Sequence, residues 1–125
     1  MSPTGDWVRI EVRVKPGQTD PAGVAAQHDL ELAGLTARAV RVHQVYYLQG
    51  VADAVRAARE LFVDPVLEEG SVSEPIEGAG VAVSVCKRPG VMDPAEASVL
   101  RALRALGEQP TRAVSGQTDW IASEA

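Results

Sequence analysis

The sequence contains one short turn motif twice, and both copies read basic-Pro-Gly-x-x-Asp-Pro. The offset between the copies is constant, because 88 − 15 and 94 − 21 both equal 73. Each copy follows an alternating apolar stretch and precedes an amphipathic stretch that ends near a glycine, Gly34 or Gly107. Matching turns between matching elements indicate an internal duplication, so we expect two related half-units that pack together or against a partner. The motif residues are Lys15, Pro16, Gly17, Asp20 and Pro21, and then Arg88, Pro89, Gly90, Asp93 and Pro94.

The first half-unit, residues 7–76, is predicted to be a complete β-α-β-α-β unit. Trp7–Val14 alternates apolar with charged residues, which is typical of a strand with one buried and one solvent-exposed face. A second strand is predicted over residues 38–48, and its alternation slips after Val42, which indicates either a bulge or a change of face. The other predicted elements are a helix from Pro21 to about Ala33, a helical stripe from Val51 that ends at Asp64 and Pro65, and a weak strand over residues 71–76.

The second half-unit, residues 80–121, is predicted to be incomplete. It follows a short glycine-containing joint over residues 77–80 and repeats only the β-α-β part of the first half-unit. Its elements are a strand over Val81–Cys86, a helix that begins at Pro94, and a last strand between Thr111 and Ile121.

These elements predict an α+β fold, a two-layer sandwich related to the ferredoxin-like folds, with the order β-α-β-α-β-β-α-β. We expect an antiparallel sheet with helices on one face, because the charged face formed by Arg9, Glu11 and Arg13 argues against a parallel sheet covered on both sides. The length of 125 residues suits one domain over residues 1–125.

The composition excludes several classes of function. The formal net charge is −5 and no dense basic run is present, so no nucleic-acid partner is expected. A single cysteine, Cys86, forbids an internal disulfide and fits a reducing compartment. No apolar stretch approaches the ~20 residues that a membrane span requires, and we therefore expect a cytoplasmic protein with no membrane partner.

The repeated turn motif is the first candidate site. Its basic residue beside a helix N-terminus could hold a phosphate or a carboxylate. However, Asp20 and Asp93 stand where that anion would lie, and helix capping by these aspartates, with Pro21 and Pro94 at the first helical positions, is the favoured interpretation. Cys86 at a strand end is expected to be buried and inert.

No catalytic or metal-binding constellation is predicted. The two histidines, His28 and His43, do not have the spacing of metal ligands, and no phosphate-binding glycine loop or nucleophile motif is present. Two pairs of large residues fall at comparable places in the two half-units. As cross-strand residues they would only stabilise the sheet, and as exposed anchors they would form a subunit contact. These interface candidates are Tyr46, Tyr47, Trp120 and Ile121.

Several segments of the first half-unit together resemble a known family. They are Asp20-Pro21-Ala22-Gly23, Val40-Arg41-Val42, and the run from Leu61 to Val66 that contains Asp64-Pro65. In this order they look like PurS, the small subunit of phosphoribosylformylglycinamidine synthase. The second turn, Lys87 to Pro94, makes the chain more similar to the PurS-like N-terminal domain of the fused PurL enzyme, which resembles two PurS units joined in one chain.

The resemblance implies a non-catalytic role in purine biosynthesis. In that family the PurQ-type glutaminase releases ammonia from glutamine, the PurL-type synthetase performs the ATP-dependent step, and PurS bridges them. The chain would then bind no cofactor, ATP and Mg²⁺ would belong to the synthetase, and the partners would be these two enzymes and further copies of the chain. Two alternatives remain at this point: a small-molecule sensor of the ACT-domain type, and a small enzyme that uses Cys86.

Overall fold

The computed structural model describes residues 7–86 and 94–122. The chain forms an α+β fold whose element order is the predicted one. The five strands are β1 (Trp7–Val14), β2 (Ala39–Gln49), β3 (Glu68–Val72), β4 (Val81–Cys86) and β5 (Arg112–Ala122). The helices are α1 (Pro21–Leu32), α2 (Ala54–Ala57, continued as a π-helical turn over Ala58–Phe62) and α3 (Pro94–Ala105).

All five strands form one antiparallel sheet in the order β3-β1-β2-β5-β4. The two halves of the chain meet at the centre of the sheet, where β2 pairs with β5 along the whole length of both strands. The halves pair their own strands in equivalent registers, because Val8 lies opposite Leu48 and Val81 lies opposite Ile121, each residue displaced by 73. A twofold axis relating the halves would pass through the central pair Gln44↔Gln117, whose members also differ by 73.

The helices cover one face of the sheet, where the apolar core lies. Ile10 and Leu48 are fully buried on this face, together with Leu103 from α3. Ala57 and Ala58 let α2 approach the strands closely, and the Phe62 ring lies 4.5 Å from that of Tyr46. Because α3 belongs to the second half and packs into the core of the first, the two halves share one core.

The opposite face of the sheet differs from the prediction. Glu11 and His43 are each only 1% exposed, so β1 does not have one buried and one solvent-exposed face. The cause is residues 73–80, here called the crossing segment, which connect the edge strand β3 with the other edge strand β4. Along its path the amide of Ser73 donates to the carbonyl of Arg9 at 2.7 Å, and Gly78 packs against the ring of Trp120.

The same cover explains the slipped alternation in β2. Its pairing with β5 is continuous from Ala39 to Gln49, so the predicted bulge or change of face is wrong. Val42 and Val45 lie on opposite faces and both are buried, because the sheet centre is covered on both sides. The third strand was also displaced in the prediction: β3 spans Glu68–Val72, not residues 71–76.

Candidate functional site

The first copy of the turn motif packs against the turn at Asp64-Pro65. The amide of Lys15 donates to the carbonyl of Leu67 at 2.8 Å, and its ammonium Nζ donates to the carbonyl of Pro65 at 2.9 Å. Asp64 stabilises its own turn, since its Oδ1 accepts a hydrogen bond from the amide of Val66 at 2.9 Å. The structure therefore brings together two motif segments that lie about 50 residues apart.

Arg41 fixes the other side of this turn. Its guanidinium donates to the carbonyls of Val14 and Gln18, each at 3.0 Å, and to that of Lys15 at 3.3 Å. Gly17 has φ +88, a left-handed conformation that a side chain disfavours. Both Lys15 and Arg41 thus donate hydrogen bonds to backbone carbonyls at this turn.

Asp20 occupies the N-cap position of α1, and Pro21 is the first helical residue, as predicted. The predicted capping hydrogen bond is wrong, because the Asp20 side chain bonds no helix amide. Its Oδ2 instead accepts a hydrogen bond from the amide of Val42 at 2.9 Å, and the residue is 5% exposed. A carboxylate fixed in this way leaves no place for a bound anion at the helix N-terminus.

Gly23 brings α1 against β2. A Cβ atom at this position would lie 2.2 Å from the carbonyl oxygen of Val40, so only glycine permits this approach. The second motif is described only at Pro94, which begins α3. Arg88, Pro89, Gly90 and Asp93 lie outside the described residues.

An open cavity of about 250 Å³ borders the first turn motif. The carboxylates of Asp20 and Glu68 lie in its lining, together with apolar side chains from β1 and β2. The one basic lining residue, Arg13, is paired with Glu69. The lining thus offers no free cation for the phosphate or carboxylate of a ligand.

The most deeply buried ionisable groups lie under the crossing segment. Glu11 Oε2 is 2.6 Å from Nδ1 of His43, and Glu11 Oε1 is 2.7 Å from a guanidinium nitrogen of Arg9. Oε1 also accepts a hydrogen bond from the amide of Ile76 at 3.2 Å. Burial favours the neutral acid, but the bonds from His43, Arg9 and Ile76 outweigh it, so the pKa of Glu11 lies below its ordinary value.

The lowered pKa makes part of the stability depend on pH. A carboxylate with a depressed folded-state pKa contributes stability above its unfolded pKa, about 4.5 here, and loses it as the pH falls through the folded-state value. We expect the melting temperature of the wild type to exceed that of Glu11→Gln at pH 7, and this difference to shrink progressively below about pH 4.5. Thermal melts of both proteins between pH 7 and pH 3 measure it, and a difference independent of pH would contradict it.

Trp120 closes the other end of this buried cluster. Its ring lies 6.1 Å from that of His43, and a Cβ at Gly78 would come within 2.4 Å of its Cγ. Its indole Nε1 is buried and has no hydrogen-bond partner within the described part of the chain. The joint predicted over residues 77–80 therefore lies directly on the Trp120 ring, and this close contact requires glycine at position 78.

The four interface candidates do not form one surface. Tyr46 and Ile121 lie on the helix face of the sheet, whereas Tyr47 and Trp120 lie on the opposite face. All four are half-buried. Burial, with the nearby charge of Glu68, raises the pKa of Tyr46 above its ordinary value.

Sequence reasoning missed the pair Glu11–His43, whose members lie 32 residues apart. One signal was present in the sequence: the apolar alternation of β2 slips at His43, which is what a strand buried on both faces produces. No group of three or more metal-ligating side chains occurs within residues 7–86 and 94–122. In the same ranges, no helix is long and apolar enough to cross a membrane.

The chain matches the model of a known protein family. The model described as "PurS: Phosphoribosylformylglycinamidine (FGAM) synthase" matches residues 7–73, more than half of the chain. The match covers the first turn motif, the Asp64-Pro65 turn and the strands β1, β2 and β3. Comparisons with curated proteins and with solved structures gave no significant match.

Proposed function

The chain belongs to the PurS family of FGAM synthase, a component of purine biosynthesis, and from this premise we propose that it is a non-catalytic assembly module that bridges the synthetase and the glutaminase. In this role it holds the PurL-type and PurQ-type enzymes together so that ammonia passes from one to the other. ATP and Mg²⁺ bind to the synthetase partner. The chain acts in the cytoplasm, and further copies of it take part in the assembly.

One observation carries the non-catalytic part of the proposal. Beneath the crossing segment, the two groups whose pKa values depart from normal, Arg9 and Glu11, are paired with each other, and Glu11 also binds His43. The side chains of Glu11 and His43 are 2% and 1% exposed, which leaves no room for a substrate beside them. Perturbed groups in an active site must reach a cleft, and these stabilise the fold.

The arrangement of the sheet supports the bridging part. The outer strands β3 and β4 are its two edges, and an edge strand offers unpaired amides and carbonyls to another chain. These edges lie on opposite sides of the sheet, with three strands between them. A module of this shape can contact two proteins at once.

The experiment compares two nitrogen sources. The cognate glutaminase and synthetase are assayed for FGAM formation with and without this chain, once with glutamine and once with ammonium salt. We expect the chain to increase turnover with glutamine by at least about tenfold and to leave turnover with ammonia unchanged, because direct transfer replaces diffusion of ammonia between separate enzymes. Size-exclusion chromatography of the mixture should show one complex.

Two results would contradict the proposal. If turnover is unchanged with both nitrogen sources and no complex forms, the chain is no assembly module. If, in addition, a free amino acid raises the melting temperature of the chain alone, the sensor alternative explains the protein better.

A further inference from the structure

The two halves differ in one element on the helix face. In the first half, α2 and its π-helical turn cover β1 and β2, whereas the described part of the second half consists of β4, α3 and β5. Because the strand registers of the halves agree with an offset of 73, the residues of β1, α1 and β2 have counterparts in β4, α3 and β5. Comparing the solvent exposure of each residue with that of its counterpart shows which positions α2 covers in the first half and which are exposed in the second.

The counterparts of buried residues are exposed. Ile10, beneath α2, is 0% exposed, and its counterpart Val83 is 45% exposed. Leu48 is also 0% exposed, and its counterpart Ile121 is half-buried. Next to them Val81 is 68% exposed. All three lie on the helix face, since Val81 is paired with Ile121, and Ile121 with Val40.

The helix neighbours show the same difference. Leu103 of α3 is fully buried, and its counterpart in α1, Leu30, is half-buried. After α3, the carboxylate of Glu108 accepts hydrogen bonds from the amides of Ala52 at 2.7 Å and Asp53 at 3.3 Å, at the start of α2. Its counterpart after α1 is Leu35, which is 57% exposed. We call Val81, Val83, Ile121, Leu30 and Leu35 together the β4 surface.

We propose that the β4 surface binds one amphipathic helix of a partner protein, in the position that α2 occupies in the first half. The chemistry of that helix follows from α2. It must present small residues where Ala57 and Ala58 contact the sheet, because only these let the backbone come close. The inference rests on strand register and exposure and does not depend on the transfer of ammonia.

One counterpart also specifies a charge. Tyr46, whose ring packs on Phe62, corresponds to Asp119, which is paired with Val83 on the β4 surface. A carboxylate there favours lysine or arginine in the partner helix where α2 has Phe62. A second copy of this chain cannot supply its own α2, because Ala57 and Phe62 already pack in its core.

The test tethers such a helix to the full chain. A segment with the sequence of residues 53–63, with lysine in place of Phe62, is appended after Ala125. Residues 123–125 correspond to residues 50–52, which precede α2 in the first half, so they connect the added helix over the same number of residues. We expect the methyl NMR signals of Val81, Val83 and Ile121 to shift, those of Ile10 and Leu48 to stay, and the melting temperature to rise by about 4 °C.

Charge exchange is the matched control. In the tethered protein, Asp119→Lys should abolish the increase in melting temperature, and an appended segment with glutamate in place of the lysine should restore it. An appended helix that leaves the signals of Val81 and Val83 unchanged would overturn the proposal. It would also be overturned if the untethered chain is a dimer in which a second copy already shields Val81 and Val83, a result independent of the nitrogen-source assay.

Discussion

Replacing Glu11 with alanine will lower the free energy of unfolding by about 3–5 kcal/mol, because it removes one partner from a cluster of buried polar and charged groups. The carboxylate lies 2.6 Å from Nδ1 of His43 and 2.7 Å from a guanidinium nitrogen of Arg9, and it accepts a hydrogen bond from the amide of Ile76 at 3.2 Å. Without it, His43 and the amide of Ile76 lose their partner under the crossing segment, and Arg9, whose side chain is 25% exposed, loses its ion pair. Urea denaturation followed by circular dichroism measures the change.

Glu69→Ala is the matched control. It lies on the same face of the sheet, in the neighbouring strand β3, and pairs with Arg13, but its side chain is 42% exposed. An exposed ion pair contributes only about 0–1 kcal/mol, so this variant should differ little from the wild type. If both variants lose the same stability, burial under the crossing segment is not what makes Glu11 important.

Replacing Leu103 with alanine will cost about 2–5 kcal/mol, the range for truncating a fully buried leucine. The residue is 0% exposed and lies in one cluster with Ile10, Leu48 and Ala57. It belongs to α3 in the second half, whereas these neighbours belong to the first. We therefore expect one cooperative unfolding transition at a lower urea midpoint, with both halves unfolding together.

Two leucines of α1 test this result. Because Leu30 is half-buried, Leu30→Ala should lower the free energy of unfolding less than Leu103→Ala does. Leu32 is 75% exposed, and Leu32→Ala should stay within about 0.5 kcal/mol of the wild type. Two separate transitions in the Leu103→Ala protein would contradict a shared core, even if its total loss of stability were as expected.

The order of the elements could be predicted because each one carries a local pattern. The alternation in β1, the proline at the start of α1 and the glycines after α1 and α3 act within a few residues of the chain. Gly34 and Gly107 have φ +85 and +100, and both follow their helices where expected. Such signals need no knowledge of the rest of the molecule.

The contacts on the far face of the sheet could not be predicted in the same way. Glu11 finds His43 across 32 residues and the amide of Ile76 across 65. Asp20 bonds Val42 instead of its own helix, across 22 residues. Each of these depends on the path of the crossing segment or on the packing of α1, and a short glycine-containing joint does not reveal which face of a sheet it will cover.

The central ladder between β2 and β5 has a consequence for the rate of folding. Its nearest pair, Gln49↔Arg112, is 63 residues apart in the chain (112 − 49), and its farthest pair, Ala39↔Ala122, is 83 apart (122 − 39). A contact between distant residues can form only after a long loop has closed, and domains dominated by such contacts fold in milliseconds to seconds. The ladder that unites the molecule should therefore form late, after the hairpin-like pairs within each half, and a ribosome must release the chain as far as Ala122 before the sheet can close.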